Sequence, residues 1–125
     1  GIGSSGSAVA ENWQPFDANQ FQSLHGAGKP VLVKFTANWC GSCQYIEGTV
    51  FRDPRVWTAL KSDGFTMMKA DFSTDADAPG KKLLLQLTPA GGIPVTAIFT
   101  NAAEPKVFNS VYTSNELLGA IQEKR

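Results

Sequence analysis

Two rhythms of apolar and polar positions run along the chain. Residues 31–36 (VLVKFT), 65–72 (FTMMKADF), 95–100 (VTAIFT) and 106–111 (KVFNSV) are short, β-branched and aromatic, and each reads as a strand. The first of these is apolar throughout apart from one lysine, Lys34, which suggests a buried strand with an interruption. Between them the apolar spacing becomes helical. Asp17 is an N-cap candidate for a short helix over 18–25, stopped by Gly26, Gly28 and Pro30. A helix is expected over 42–51, a further turn or short helix over 54–61, and another helix over 81–87, broken by Pro89-Ala90-Gly91-Gly92. Residues 101–105 form the turn of a late hairpin. Thr113-Ser114-Asn115-Glu116 is a capping box ahead of Leu117, Leu118 and Ile121.

The order α-β-α-β-α-β-β-α predicts an α/β domain with a central mixed sheet flanked by helices. Its early strands are joined by parallel crossovers, and the late hairpin adds an antiparallel edge. With 125 residues there is room for one core and one domain, taken here as 11–125. Residues 1–10 (GIGSSGSAVA) read as a flexible linker or a cloning remnant.

Composition narrows the partners. Eleven basic and eleven acidic side chains cancel, so charge gives no reason to expect nucleic acid or an anionic membrane. No apolar run approaches the ~20 residues that span a bilayer, and the domain is read as a soluble monomer. Asp71, Asp75 and Asp77 could suggest a cation site, but their setting among Ser, Thr and Pro reads better as turn and cap chemistry. His25, at a helix end, is read as structural.

The chemistry concentrates at Cys40 and Cys43, the only cysteines. Three positions apart, they would close too small a loop to restrict the unfolded chain much. A structural zinc usually needs four ligands, and His25 is the only histidine, so neither metal nor cofactor is expected. Redox exchange remains. A Cys-x-x-Cys where a strand passes into a helix places Cys40 at the helix N-cap. Free amide N–H groups and the helix dipole there favour its thiolate. Cys43, one turn on and deeper, can resolve a mixed disulfide formed at Cys40.

FTANWCGSC resembles the active-site segment of the thioredoxin superfamily, and Gly92-Ile93-Pro94 before VTAIF resembles its cis-proline loop. Within the superfamily the DsbD-type C-terminal domains are more similar still. That likeness rests on Trp13-Gln14-Pro15, Lys29-Pro30-Val31, FTANWCGSC, Glu47, VFRDPRV, Lys69-Ala70-Asp71 and GGIPV. It implies a thioredoxin fold and a protein-disulfide reductase. Cys40 would attack and Cys43 resolve, with Pro94 against the disulfide after a cis bond and the Ile93 backbone pairing with a partner segment. It also implies protein disulfides as substrates, a membrane-embedded redox donor domain, and a place on the periplasmic side of the membrane. A stand-alone thioredoxin-like reductant, cytosolic or exported, and a non-catalytic binding module of the same fold are the competing readings.

The chain departs from the family at Lys34, where members commonly carry a buried aspartate. Glu47 shares a helical face with Cys40 and Cys43. We therefore expect a semi-buried Lys34–Glu47 ion pair below Cys43, the cation favouring thiolate and Glu47 or a neutral Lys34 accepting a proton. The alternative is a Lys34 that snorkels to the surface along its aliphatic stem. Trp39 is expected to be partly exposed beside the sulfurs as an apolar docking surface. Gly41 and Ser42 tune redox poise.

Overall fold

A computed structural model describes residues 13–123. The linker expected over 1–10 lies outside these residues. In chain order the elements are β1 (Trp13–Pro15), α1 (Ala18–Gly26), β2 (Val31–Thr36), α2 (Gly41–Thr49), α3 (Pro54–Ser62), β3 (Thr66–Asp71), α4 (Lys81–Leu87), β4 (Val95–Phe99), β5 (Lys106–Phe108) and α5 (Ser114–Gln122). They build a five-stranded sheet in the order β1-β3-β2-β4-β5. Strands β1, β3 and β2 are parallel, β4 runs antiparallel to β2, and β5 runs antiparallel to β4. This is the mixed, helix-flanked sheet expected of a thioredoxin fold.

Every residue of β2 is buried because β2 lies mid-sheet and both faces are covered. Val31, Val33 and Phe35 join Met68, Ala70, Val95, Ala97 and Phe99 on one face, under Phe21 of α1 and Leu84 of α4. Leu32, Met67 and Ile98 turn to the other face. There they meet Ile46 of α2, Val56 and Leu60 of α3, and Leu117 and Ile121 of α5. The two-residue period of a strand thus feeds two cores, and both Met67 and Met68 are buried, where a one-faced sheet would bury only one.

Local chemistry sets the helix ends. Asp17 caps α1 by accepting from the Asn19 N–H, and Asp53 caps α3 from the Arg55 N–H with Pro54 at the first helical position. With that cap α3 is a full nine-residue helix. In α5, Thr113 Oγ1 accepts from the Glu116 N–H at 3.1 Å while Glu116 Oε1 accepts from the Thr113 N–H at 2.9 Å, the reciprocal capping box. Two elements differ from expectation. Strand β1 was not foreseen, because three residues with a proline carry little pattern and are fixed only by pairing with β3. Strand β5 ends at Phe108, because the chain then turns Tyr112 inward, where its ring stacks on Phe108 at 4.7 Å.

Candidate functional site

Strand β2 ends on the loop that carries the cysteines. Cys40 is the N-cap of α2, and its sulfur accepts from the Cys43 N–H at 3.2 Å. Cys40 and Cys43 are joined as a disulfide. Cys43 is buried while Cys40 is only partly so, which leaves Cys40 the accessible sulfur. The loop is held from two sides. Gln44 Nε2 donates to the Ala37 carbonyl at 3.0 Å, and the Asn38 N–H donates to Ser73 Oγ at 2.7 Å. Ser73 Oγ in turn donates to Asp71 Oδ1 at 2.5 Å, so the β2 loop is tied to the end of β3.

Trp39, just before α2, is 65% exposed and Tyr45, midway along it, 59%, two large rings on the surface. The Ile93–Pro94 peptide bond is cis, and Ile93 and Cys40 pack against the same core cluster.

Beneath α2 the sheet changes character. On the face that carries Leu32, Met67 and Ile98, the next positions toward the cysteine end are polar: Lys34 and Thr36 on β2, Lys69 and Asp71 on β3, Thr96 on β4. Lys34 stands in one register row with Thr96 and Lys69. Its side chain is only 5% exposed, and Nζ donates to Glu47 Oε1 at 2.6 Å. The ammonium also lies 3.8 Å from the centre of the Trp13 ring and 4.9 Å from that of Phe51. Those two rings meet edge to face at 5.1 Å. The lysine therefore does not snorkel to solvent. It is enclosed by one carboxylate and two aromatic faces, each attractive to a cation.

Burial nevertheless dominates its titration. Desolvation pushes the Lys34 ammonium down from 10.5 to about 8, against the charge and hydrogen bond of Glu47. Lys69 lowers it further and Asp71 raises it. Farther along the row, the Thr96 and Tyr112 hydroxyls share a buried hydrogen bond of 2.6 Å. Burial raises the Tyr112 phenol above its ordinary value.

On the other side of Glu47 a small polar cavity of about 170 Å³ opens, lined among others by Thr36, Gln44, Glu47, Lys69, Asp71 and Ser73. Thr36 is 3% exposed and its hydroxyl has no hydrogen-bonding partner among the described residues. The Ser73 hydroxyl holds the Asp71 carboxyl below the usual carboxylate range.

Among the residues singled out from sequence, Cys40 and Cys43 are bonded and Lys34 and Glu47 are paired. Trp39 stands exposed, and Ile93 and Pro94 form a cis bond. Sequence reasoning did not find the cage walls Trp13 and Phe51, nor the cavity residues Thr36 and Ser73. Thr36 carried a usable signal: it lies two residues after Lys34, on the same face of the same strand. Trp13 and Phe51 carried none, since they reach Lys34 only through the β1–β3 pairing and the end of α2. Among the described residues no group of three or more His, Cys, Asp and Glu side chains is placed to hold a metal ion.

The Thioredoxin-like family profile matches residues 12–101, and the chain belongs to that family. Thiol:disulfide interchange protein DsbD of Photorhabdus laumondii is 32% identical over 88 residues, which span 70% of this chain and 14% of that protein. The DsbD of Salmonella typhimurium is 35% identical over 77 residues, 62% of this chain and 13% of that one. The chain thus spans about a seventh of the length of these curated relatives. The solved C-terminal domain of Neisseria meningitidis DsbD in its reduced form superposes with a TM-score of 0.63 at 19% identity. That match covers 87% of this chain and 97% of the domain. A Thermus thermophilus thioredoxin gives 0.66 at 21% identity, over 89% and 84%. At such identities these two likenesses show the fold alone.

Proposed function

We propose that this chain is a thiol-disulfide oxidoreductase domain of DsbD type. It takes electrons from a membrane-embedded donor domain and passes them to protein disulfides on the periplasmic side. The reading is carried by the Cys40–Cys43 disulfide, with its accessible sulfur at a helix N-cap and its second sulfur buried one turn later. The DsbD relatives support the context. No helix among the described residues is long and apolar enough to cross a membrane, so the donor would be a separate domain or protein.

The disulfide form is the oxidised end of the cycle. After two electrons and two protons reduce it, Cys40 gives its proton to water and its thiolate attacks one sulfur of a substrate disulfide. The substrate S–S bond breaks, and the departing thiolate takes a proton from water. Cys43 then attacks the Cys40 sulfur of the mixed disulfide. Its thiol proton passes to the Glu47 carboxylate, one turn along the same helical face. The Cys40–Cys43 bond reforms, and the second substrate sulfur leaves as a thiolate that takes a proton from water. The two cysteines are oxidised and the substrate disulfide is reduced. Glu47 is a better acceptor than Lys34, because Nζ is enclosed by Trp13, Phe51 and Glu47 itself. Lys34 supplies a positive charge that favours the thiolate.

Insulin reduction separates an enzyme from a binding module. Activity in the wild type and none in Cys40→Ser is the expected result, and an inactive wild type overturns the enzymatic reading. Context is tested by trapping mixed disulfides with Cys43→Ser in the native cell. Capture of a membrane-embedded donor supports the DsbD-type assignment, and capture of cytosolic enzymes alone overturns it.

A further inference from the structure

Glu47 stands between a dry compartment and a polar one. On its dry side Oε1 is held by Lys34 inside the Trp13–Phe51 cage. On its polar side it lines the cavity whose inner wall is Thr36. A buried hydroxyl without a partner is costly, and native proteins ordinarily satisfy such groups with ordered water where the site is polar and large enough. Both conditions hold. A volume of about 170 Å³ is ample for ordered water. Apart from Ala37, the surrounding wall is formed by residues with amide, hydroxyl, ammonium and carboxylate side chains. Asp71 and Ser73 lie on the wall, Asp71 exposed and the two hydrogen-bonded to each other at 2.5 Å.

We propose that this cavity is a hydrated proton exit, in which water bonded to Thr36 Oγ1 links the Glu47 carboxyl to bulk solvent past Asp71 and Ser73. The inference rests on Glu47 as acceptor of the Cys43 proton. The step is a proton transfer alone. The Cys43 S–H bond breaks and an O–H bond forms on Glu47. That proton then moves to a cavity water, and a different proton leaves to solvent, restoring the carboxylate. Thr36 orients the first water and exchanges no proton with the cysteines, so it is a positioning residue. The charged and titratable groups around the path are Lys34 on β2, Lys69 and Asp71 on β3, and Tyr112 beyond Thr96. The ionised Asp71 favours a cationic proton carrier on its way out.

Stopped-flow reaction of the reduced protein with 5,5′-dithiobis(2-nitrobenzoate) reads the relevant step directly. One thionitrobenzoate is released when Cys40 attacks the reagent, and a second when Cys43 attacks the resulting mixed disulfide. In Thr36→Val the second phase is expected to slow about tenfold relative to the first, with an increased solvent deuterium isotope effect on that phase. Thr36→Ser, which keeps the hydroxyl, restores both. Glu47→Gln tests the reading underneath. If Glu47→Gln slows the second phase and Thr36→Val does not, Glu47 stands as acceptor and the exit path is overturned. If Glu47→Gln leaves the second phase unchanged, the acceptor assignment itself falls. A third measurement is independent of kinetics. A raised unfolding midpoint in Thr36→Val would mean that the hydroxyl is dry and unpaired, and it overturns the proposal. An unchanged or lowered midpoint, with ordered water at Thr36 Oγ1 in a high-resolution crystal structure, supports it.

Discussion

Lys34 is the residue on which the site turns. An ammonium in the central strand of a two-faced sheet loses nearly all its hydration, and an unpaired one would not be tolerated there. Three neighbours offset that cost: the Glu47 carboxylate at 2.6 Å and the faces of Trp13 and Phe51. The asymmetry of buried pairs then orders the mutants. Glu47→Gln leaves the buried cation without its counter-charge and is expected to cost about 3 kcal/mol. Lys34→Met leaves a carboxylate that is 27% exposed and can rehydrate, at a cost of about 1 kcal/mol or less. The double variant should recover most of the Glu47→Gln loss, with a coupling of about 3 kcal/mol in a double-mutant cycle. Urea unfolding of the oxidised proteins measures all four. Additive losses would show that the pair has no energetic content. The spacing of Glu47 from the cysteines and the oddity of a lysine in VLVKFT made this pair readable from sequence. The aromatic cage was not readable, because its walls are distant in the chain and meet only after β1 joins β3.

At the scale of elements, legibility followed how local the determining physics is. The Thr113–Glu116 box, the Asp17 cap and the apolar run of β2 are written within a few residues of each other and were recognised as such. Strand β1 depends on its pairing with β3, where no window of sequence reaches, and β5 ends early because Tyr112 turns inward onto Phe108. Gly80 belongs to the second kind. It precedes α4 with φ of +106°, and a Cβ there would lie 2.8 Å from the Cβ of Ala70 on β3. Both the backbone and the close approach call for glycine, so Gly80→Ala should destabilise by about 2 kcal/mol. Gly119, inside α5, is the opposite case: a Cβ meets nothing within 4 Å and the backbone is helical. Gly119→Ala should stabilise by about 0.5–1 kcal/mol. Denaturant midpoints of the two variants should move in opposite directions. A shift of the same sign in both would contradict the assignment of Gly80 to a close approach.

For the whole molecule, a buried lysine makes folding itself depend on pH. Unfolded, Lys34 titrates at 10.5, and folded, at about 8. Below pH 8 it is charged in both states, and the cost of burying that charge is fully present. Between pH 8 and 10.5 the unfolded chain holds the proton more tightly, so stability rises with pH. The full difference corresponds to about 3 kcal/mol. Tyr112 works in the opposite sense above its ordinary value of 10.0: its raised pKa means that the unfolded chain ionises first, so stability falls there. The lysine signal is therefore cleanest between about pH 8 and pH 10. Urea unfolding of the oxidised protein across that window, where the cysteines do not titrate, should show stability climbing in the wild type relative to Lys34→Met. In Glu47→Gln the climb should begin at lower pH, because the charge and hydrogen bond that hold Lys34 up are gone. Parallel wild-type and Lys34→Met curves would mean that the ammonium reaches water in solution, and the buried cation would then be lost as a basis for the site's electrostatics.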